Sequence, residues 1–265
     1  VYMSEHDTKV KANHNDIEES CMKDYEELSE QDLRIQLAAS YRLVEKLGWS
    51  YLIFGHLTAR VPGPEKHFLI NPYGLMYDEV TASNLVKIDL EGNIVEPSDW
   101  EVNPAGFIIH SAIHSSKSNA HCVMHTHTNA GMAMAALKQG LINIDFNGSA
   151  FHNKVAYHDF EGVTLREDEC KRIADDLGEK SIMILRNHGL LTTGPTVAEA
   201  FMKLYTLESA CQVQLMARAC GEKLEYVPSN ILDRHAKDLK DEGSYRLAFR
   251  ALVRRMLKKD SSFIL

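Results

Sequence analysis

The chain has 265 residues, of which 45% are hydrophobic, 25% charged and 8% aromatic. Its 29 basic and 37 acidic residues leave a net charge of −8, which excludes the basic footprint of a nucleic-acid binder and disfavours docking on anionic membrane. No run approaches the roughly 20 apolar residues of a membrane span, the N-terminal stretch lacks the apolar core of a secretory signal, and the five scattered cysteines form no Cys-x-x-Cys pair, so a reducing, cytoplasmic setting is expected.

Residues 1–28 are polar and lack sustained periodicity, which predicts a flexible N-terminal arm. Ser29 is an N-cap candidate for the first firm helix, with Leu33, Leu37, Tyr41 and Val44 at helical spacing and Gly48 behind them. Leu52 to Phe54, Leu57 to Val61, His67 to Ile70 and Leu85 to Ile88 read as short strands, and Glu91-Gly92-Asn93 as a turn into Ile94-Val95. Asn103-Pro104 opens a helix carrying Phe107, Ile108, Ile109 and Ile113. Ala120 to Thr126 is a strand, Ala130 to Leu137 a helix, Val155 to Tyr157 a strand and Glu167 to Leu177 a helix. Ser181 to Leu185 and Leu190 to Thr193 are buried strands. Thr196 and Glu199 form a capping box for a long helix ended by Gly221, and Ile231 to Leu257 is a charged amphipathic helical region. Helices and strands alternate without a Pro-, Gly- or Ser-rich divider, which predicts one α/β domain over 29–225, its sheet covered on both faces, with residues 226–265 as a helical extension packing on it.

The chemistry is expected among the 13 histidines. In Met124-His125-Thr126-His127-Thr128, at the carboxyl end of a strand, alternation turns His125 and His127 to one face and Cys122, Met124 and Thr126 to the other. A third histidine follows another strand in Arg186-Asn187-His188-Gly189-Leu190. An isolated His-x-His in a strand is usually incidental; two strand ends supplying three imidazoles suggest a metal site with open positions, as catalytic metals require.

The stretch from Asn103 to Thr128, together with Gly55-His56-Leu57-Thr58-Ala59-Arg60, Ile70-Asn71-Pro72-Tyr73-Gly74, Val155-Ala156-Tyr157-His158-Asp159 and Asn187-His188-Gly189, resembles the class II aldolase/adducin family from about Leu33 to Gly221. Its wording is nearest the adducin-like branch. The resemblance implies a three-layer αβα fold around a mixed sheet and a divalent metal, usually zinc, on His125, His127 and His188. It also implies a homotetramer with the site at a subunit interface. Manganese or iron could occupy the same donors.

The chain departs from the sugar-phosphate aldolases of that family. Their catalytic Glu falls at Gly106, a catalytic Tyr from a neighbouring subunit at Phe146, phosphate-binding serines at Pro104 and Ala105, and a pocket asparagine at His56. A phosphorylated sugar is therefore not the expected substrate. His56 and His110 are the expected catalytic groups, with His110 and His114 one turn apart as a relay or a fourth ligand. Tyr73 and Arg60 are the expected substrate contacts; Glu101, Tyr157, His158 and Arg186 are weaker candidates, each more often structural. The leading expectation is a metal-dependent lyase that cleaves a carbon–carbon bond beside a carbonyl, by decarboxylation or retro-aldol, in a small, carboxylate-bearing molecule. The rivals are a non-catalytic adducin-like interaction module and a non-haem iron oxygenase.

Overall fold

The computed structural model describes residues 13–162, 167–238 and 242–265. In chain order the elements are α1 (His14–Ser20), α2 (Glu30–Lys46), β1 (His56–Arg60), β2 (Phe68–Ile70), β3 (Val86–Ile88), α3 (Pro104–Ser116), β4 (Cys122–Thr126) and α4 (Asn129–Ala135). They continue with α5 (Phe146–Ala150), β5 (Val155–His158), α6 (Glu167–Leu177), β6 (Ile182–Leu185), β7 (Gly189–Gly194), α7 (Val197–Ala219), α8 (Ser229–Asp238) and α9 (Glu242–Leu257).

The strands form one seven-stranded sheet in the order β3-β2-β1-β4-β7-β6-β5. Every neighbouring pair is antiparallel except β5 and β6. Side-chain alternation sends the two faces to different cores. Leu57 and Ala59 of β1, Cys122 and Met124 of β4, and Leu190 of β7 face α2, α4 and α7 on one side, with α9 packed on α7. Val123, Met183 and Leu191 meet Ile109 and Ile113 of α3 and Ile173 and Leu177 of α6 on the other. The fold is the three-layer αβα arrangement with a mixed central sheet.

Local chemistry sets several boundaries. Ser29 caps α2 by accepting Asp32 N–H, and the Asp32 carboxylate returns the bond to Ser29 N–H. Thr196 caps α7 by accepting Glu199 N–H at 3.3 Å, while the Glu199 carboxylate reaches Arg246 of α9. All five cysteines are free thiols.

Two sequence expectations change. Within 1–28, the part from Asn13 onward is built into the fold: α1 buries Ile17, Cys21 beyond it is buried, and Glu18 lies 3.4 Å from both Arg250 and Arg254 of α9. One apolar contact per turn plus ion pairs suffices against a neighbouring helix and leaves too short a period to read. Residues 1–12 lie outside the described residues. Leu52 to Phe54 is a turn, closed by Phe54 N–H on the Tyr51 carbonyl, with Leu52 exposed at φ +52°. No described helix is long and apolar enough to cross a membrane.

Candidate metal centre

β4 delivers the first two histidines. His125 shares the face of Val123, opposite Met124, and His127 follows on the same side just beyond the strand. Thr128 then caps α4 by accepting Gly131 N–H. The third histidine comes from the tight β6–β7 turn, where each residue of Asn187-His188-Gly189 has a distinct job. Asn187 takes the left-handed conformation at φ +56°, which Asn tolerates better than most residues. Gly189 lies so close to β4 that a Cβ there would stand 2.3 Å from the Thr126 carbonyl oxygen. Only glycine lets the turn settle on the end of β4, and that approach carries His188 to the His-x-His pair.

The three Nε2 atoms converge, at 2.8 Å between His125 and His127, 2.9 Å between His127 and His188, and 3.3 Å between His125 and His188. Ligand nitrogens about 2.0–2.1 Å from one tetrahedral zinc ion stand roughly 3.3 Å apart, so the rings need open by only tenths of an ångström. The His125 Nδ1–H donates to the Leu190 carbonyl at 2.8 Å, which turns its Nε2 lone pair toward the other two. Burial lowers all three pKa values, that of His188 to about 4, with the other imidazoles adding to the effect at His125 and His188. With His127 and His188 in the same Nδ1–H tautomer as His125, three Nε2 lone pairs face one point, an arrangement that a cation stabilises. The donor set fits a divalent metal.

His56 stands opposite His125 in the β1–β4 register. It fills the space that a side chain at position 106 would need: a Cβ on Gly106 would lie 1.8 Å from both Cδ2 and Nε2 of the His56 ring. An imidazole from the sheet thus replaces any side chain from the helix. Its Nδ1–H donates to Asn71 Oδ1 at 3.2 Å, and Asn71 Oδ1 lies 2.9 Å from the Tyr41 hydroxyl. That leaves Nε2 as the acceptor at the Gly106 edge. Burial depresses the His56 pKa to about 4.

Behind His56, β1 and α3 meet in a buried polar seam whose proton positions are forced. The His114 Nδ1 must donate to the Ala120 carbonyl, at 2.8 Å, because a carbonyl only accepts. Its Nε2 is then bare and accepts from the Thr58 hydroxyl at 2.8 Å. The Thr58 oxygen in turn accepts the His110 Nδ1–H at 2.6 Å. His110 ends the chain with a buried Nε2 that has no hydrogen-bond partner among the described residues. Desolvation keeps both rings neutral, with the His114 pKa lowered to about 3.

The cleft over the three histidines holds about 470 Å³. His56 and Tyr73 line it, together with Asn103, Tyr51, Phe54 and Phe160. Tyr51 stands edge-on to His127 and Phe160 edge-on to His188. These aromatics escaped the sequence reading because they lie on turns without periodicity. None of the described lining residues is Lys or Arg.

Other expected site residues lie elsewhere. His110 is 1% exposed, does not line the cleft and is not in the group of converging ligand atoms, so it is neither a substrate contact nor a fourth ligand. Arg60 sits at the far end of β1, donating to the His114 carbonyl and resting over Phe68; a strand residue four positions from His56 is too far along to share its cleft. Glu101 is exposed and offers only its carbonyl to Tyr73 N–H. His158 is bound to Asp176 at 2.7 Å, and the Tyr157 hydroxyl accepts Leu141 N–H. Phe146 is exposed on α5 against His235, away from the cleft of its own chain. The side chains of Pro104 and Ala105 lie outside the described residues.

Residues 35–215 match the profile of the Class II Aldolase and Adducin N-terminal domain. An aldolase II superfamily protein from Pseudomonas syringae superposes with a TM-score of 0.86 at 42% identity, covering 89% of this chain and 96% of that one. The L-fuculose 1-phosphate aldolase from Glaciozyma antarctica PI12 superposes with a TM-score of 0.78 at 30% identity, covering 86% and 91%. Alpha-adducin of Rattus norvegicus is 44% identical over 224 residues, which are 83% of this chain and 29% of the adducin. The chain belongs to the class II aldolase and adducin family.

Proposed function

We propose that the protein is a metal-dependent lyase that cleaves a carbon–carbon bond beside a carbonyl, by decarboxylation or retro-aldol, in a small non-phosphorylated, carboxylate-bearing substrate. The observation that carries this reading is the convergence of the His125, His127 and His188 Nε2 atoms within 3.3 Å at the floor of an open cleft. These residues hold the metal, zinc by preference for an all-imidazole set and manganese or iron as alternatives. A divalent ion there supplies Lewis-acid polarisation of a substrate oxygen. His56 handles the proton: its Nε2 faces the cleft, and Asn71 fixes its tautomer. Tyr73 binds substrate at the rim. Exposed Tyr51, Leu52, Phe54 and Phe160 around the mouth favour a homotetramer that covers the cleft.

The Glaciozyma relative, named for a sugar phosphate, supplies the sharpest control. Zinc-loaded protein is screened with L-fuculose 1-phosphate, L-fuculose and a panel of keto and aryl carboxylic acids, reading released carbon dioxide and aldehyde. Turnover of an acid, lost in His56→Ala and in His188→Ala, is the expected result. Rapid cleavage of L-fuculose 1-phosphate contradicts the substrate class. The likeness to alpha-adducin favours a second reading, a binding module without catalysis, and protein that takes up no stoichiometric metal and turns over nothing would support it.

A further inference from the structure

Arg186 opens the turn that carries His188, yet it faces a different cleft. Its guanidinium lies over the Tyr157 ring, 4.2 Å from the centroid, and Nη1 donates to the Leu137 carbonyl at 2.8 Å. Its backbone N–H donates to the His158 carbonyl, also at 2.8 Å. These contacts hold the fork in place without using it up, since a guanidinium carries five N–H donors. Arg34, Arg42, Arg172, Arg246, Arg250 and Arg254 each meet a carboxylate within 4 Å. Arg186, although half-buried, meets none among the described residues.

The fork lines a second open cleft of about 670 Å³, with Leu137, Lys138, Asp159, Phe160 and Asn187. Phe160 also walls the histidine cleft, so the two spaces adjoin across one phenyl ring. Asp159 shares the Arg186 cleft but makes no ion pair with it, which leaves Arg186 and Lys138 to attract an anion from outside.

We propose that Arg186 is a specificity-determining residue that binds a carboxylate of the substrate, at a subsite separated from the three histidines by Phe160. A planar guanidinium already stacked on an aromatic ring matches a carboxylate edge to edge and loses little freedom on binding. The substrate class that follows is an acid whose carboxylate is joined by an apolar segment, lying along Phe160, to the group that enters the histidine cleft. This rests on the lyase reading for the word substrate, but the subsite itself does not need the metal.

The test titrates the full chain, stripped of metal and then zinc-loaded, with hexanoate and with inorganic phosphate, by calorimetry. Hexanoate should bind saturably in both states. Arg186→Met should weaken it about tenfold or more, as loss of a charge-assisted pair does, and Lys138→Gln should weaken it less. Arg186→Lys, which keeps the cation over Tyr157 but loses the fork, should fall between wild type and Arg186→Met, and serves if the Met variant folds poorly. Zinc stoichiometry is measured on every variant: a full complement in Arg186→Met with hexanoate binding unchanged overturns the subsite and leaves the metal reading standing. Hexanoate binding that appears only with zinc places the carboxylate on the metal and also overturns it. Phosphate bound at Arg186 more tightly than hexanoate would assign the cleft to a phosphoryl group instead.

Discussion

Two trios of polar side chains in this protein do opposite things. In the buried seam, His110, Thr58 and His114 pass hydrogen bonds in one direction, donor to acceptor, and end on a backbone carbonyl. At the cleft, the Nε2 atoms of His125, His127 and His188 converge on a single spot. Burial lowers the imidazole pKa values in both sets, although His127 and His188 are only partly buried. The two sets differ in geometry, a chain of bonds in one and a convergence of three ring nitrogens in the other. The seam closes every bond but the one at His110 Nε2 and ties β1 to α3, whereas the convergent set has the arrangement a cation would complete.

The contrast can be broken at either end. The largest effect is expected at Gly189, where a Cβ would meet the Thr126 carbonyl at 2.3 Å. Gly189→Ala should cost about 3 kcal/mol, because backbone cannot step aside as a side chain can, and should loosen the metal site by displacing His188. Denaturant unfolding with zinc titration reads both; a variant with unchanged zinc affinity would separate the turn from the site.

Thr58→Val acts on the seam alone. It keeps the volume but strands the His110 Nδ1–H and the His114 Nε2, which should cost about 2 kcal/mol, within the usual range for stranding buried polar groups. Zinc stoichiometry should not change. A loss of zinc in Thr58→Val would show that the two trios are one unit.

Gly106→Ala should cost roughly 1–2 kcal/mol by overpacking against the His56 ring. His56→Ala should recover that loss in the double variant, giving a coupling energy in a thermodynamic cycle. Additive effects would contradict the account of His56 as the occupant of that space.

The last effect is in pH. His114 has its pKa lowered, mainly by burial, to about 3 against an unfolded value of 6.5. The unfolded chain therefore binds the extra proton first, so this contribution is complete above pH 6.5 and is lost as pH falls toward 3. The slope is about 1 kcal/mol per pH unit for one histidine. His114→Asn, whose amide can still donate to the Ala120 carbonyl, should show a shallower fall between pH 6.5 and 5 in chemical denaturation. An unchanged slope would place the acid sensitivity elsewhere.

The α/β alternation and the shared face of His125 and His127 were readable from local pattern, and the three-layer fold from the family resemblance. Alternation in β4 separates His125 from Met124, and Asn187-His188-Gly189 carries its own backbone reasons. What could not be read depends on where elements meet. His110 and His114 share a helical spacing that looks like a relay, but only the docking of α3 on β1 shows that Thr58 absorbs them. Arg60 and Arg186 are equivalent on paper; four residues of strand put the first beyond the cleft, while the turn before His188 puts the second beside it. The loss of a side chain at Gly106 reads as a missing catalytic group, whereas the packed structure shows the space taken by His56.

The central claim is that the convergent trio is a metal site, and elemental analysis of untagged protein beside His188→Ala tests it most directly. The account predicts about one divalent ion per chain in the wild type, a loss in His188→Ala, and full retention in Thr58→Val. Wild-type protein that holds no stoichiometric metal after reconstitution with zinc, manganese or iron would contradict it and leave the three histidines as an uncompleted cluster in a binding module.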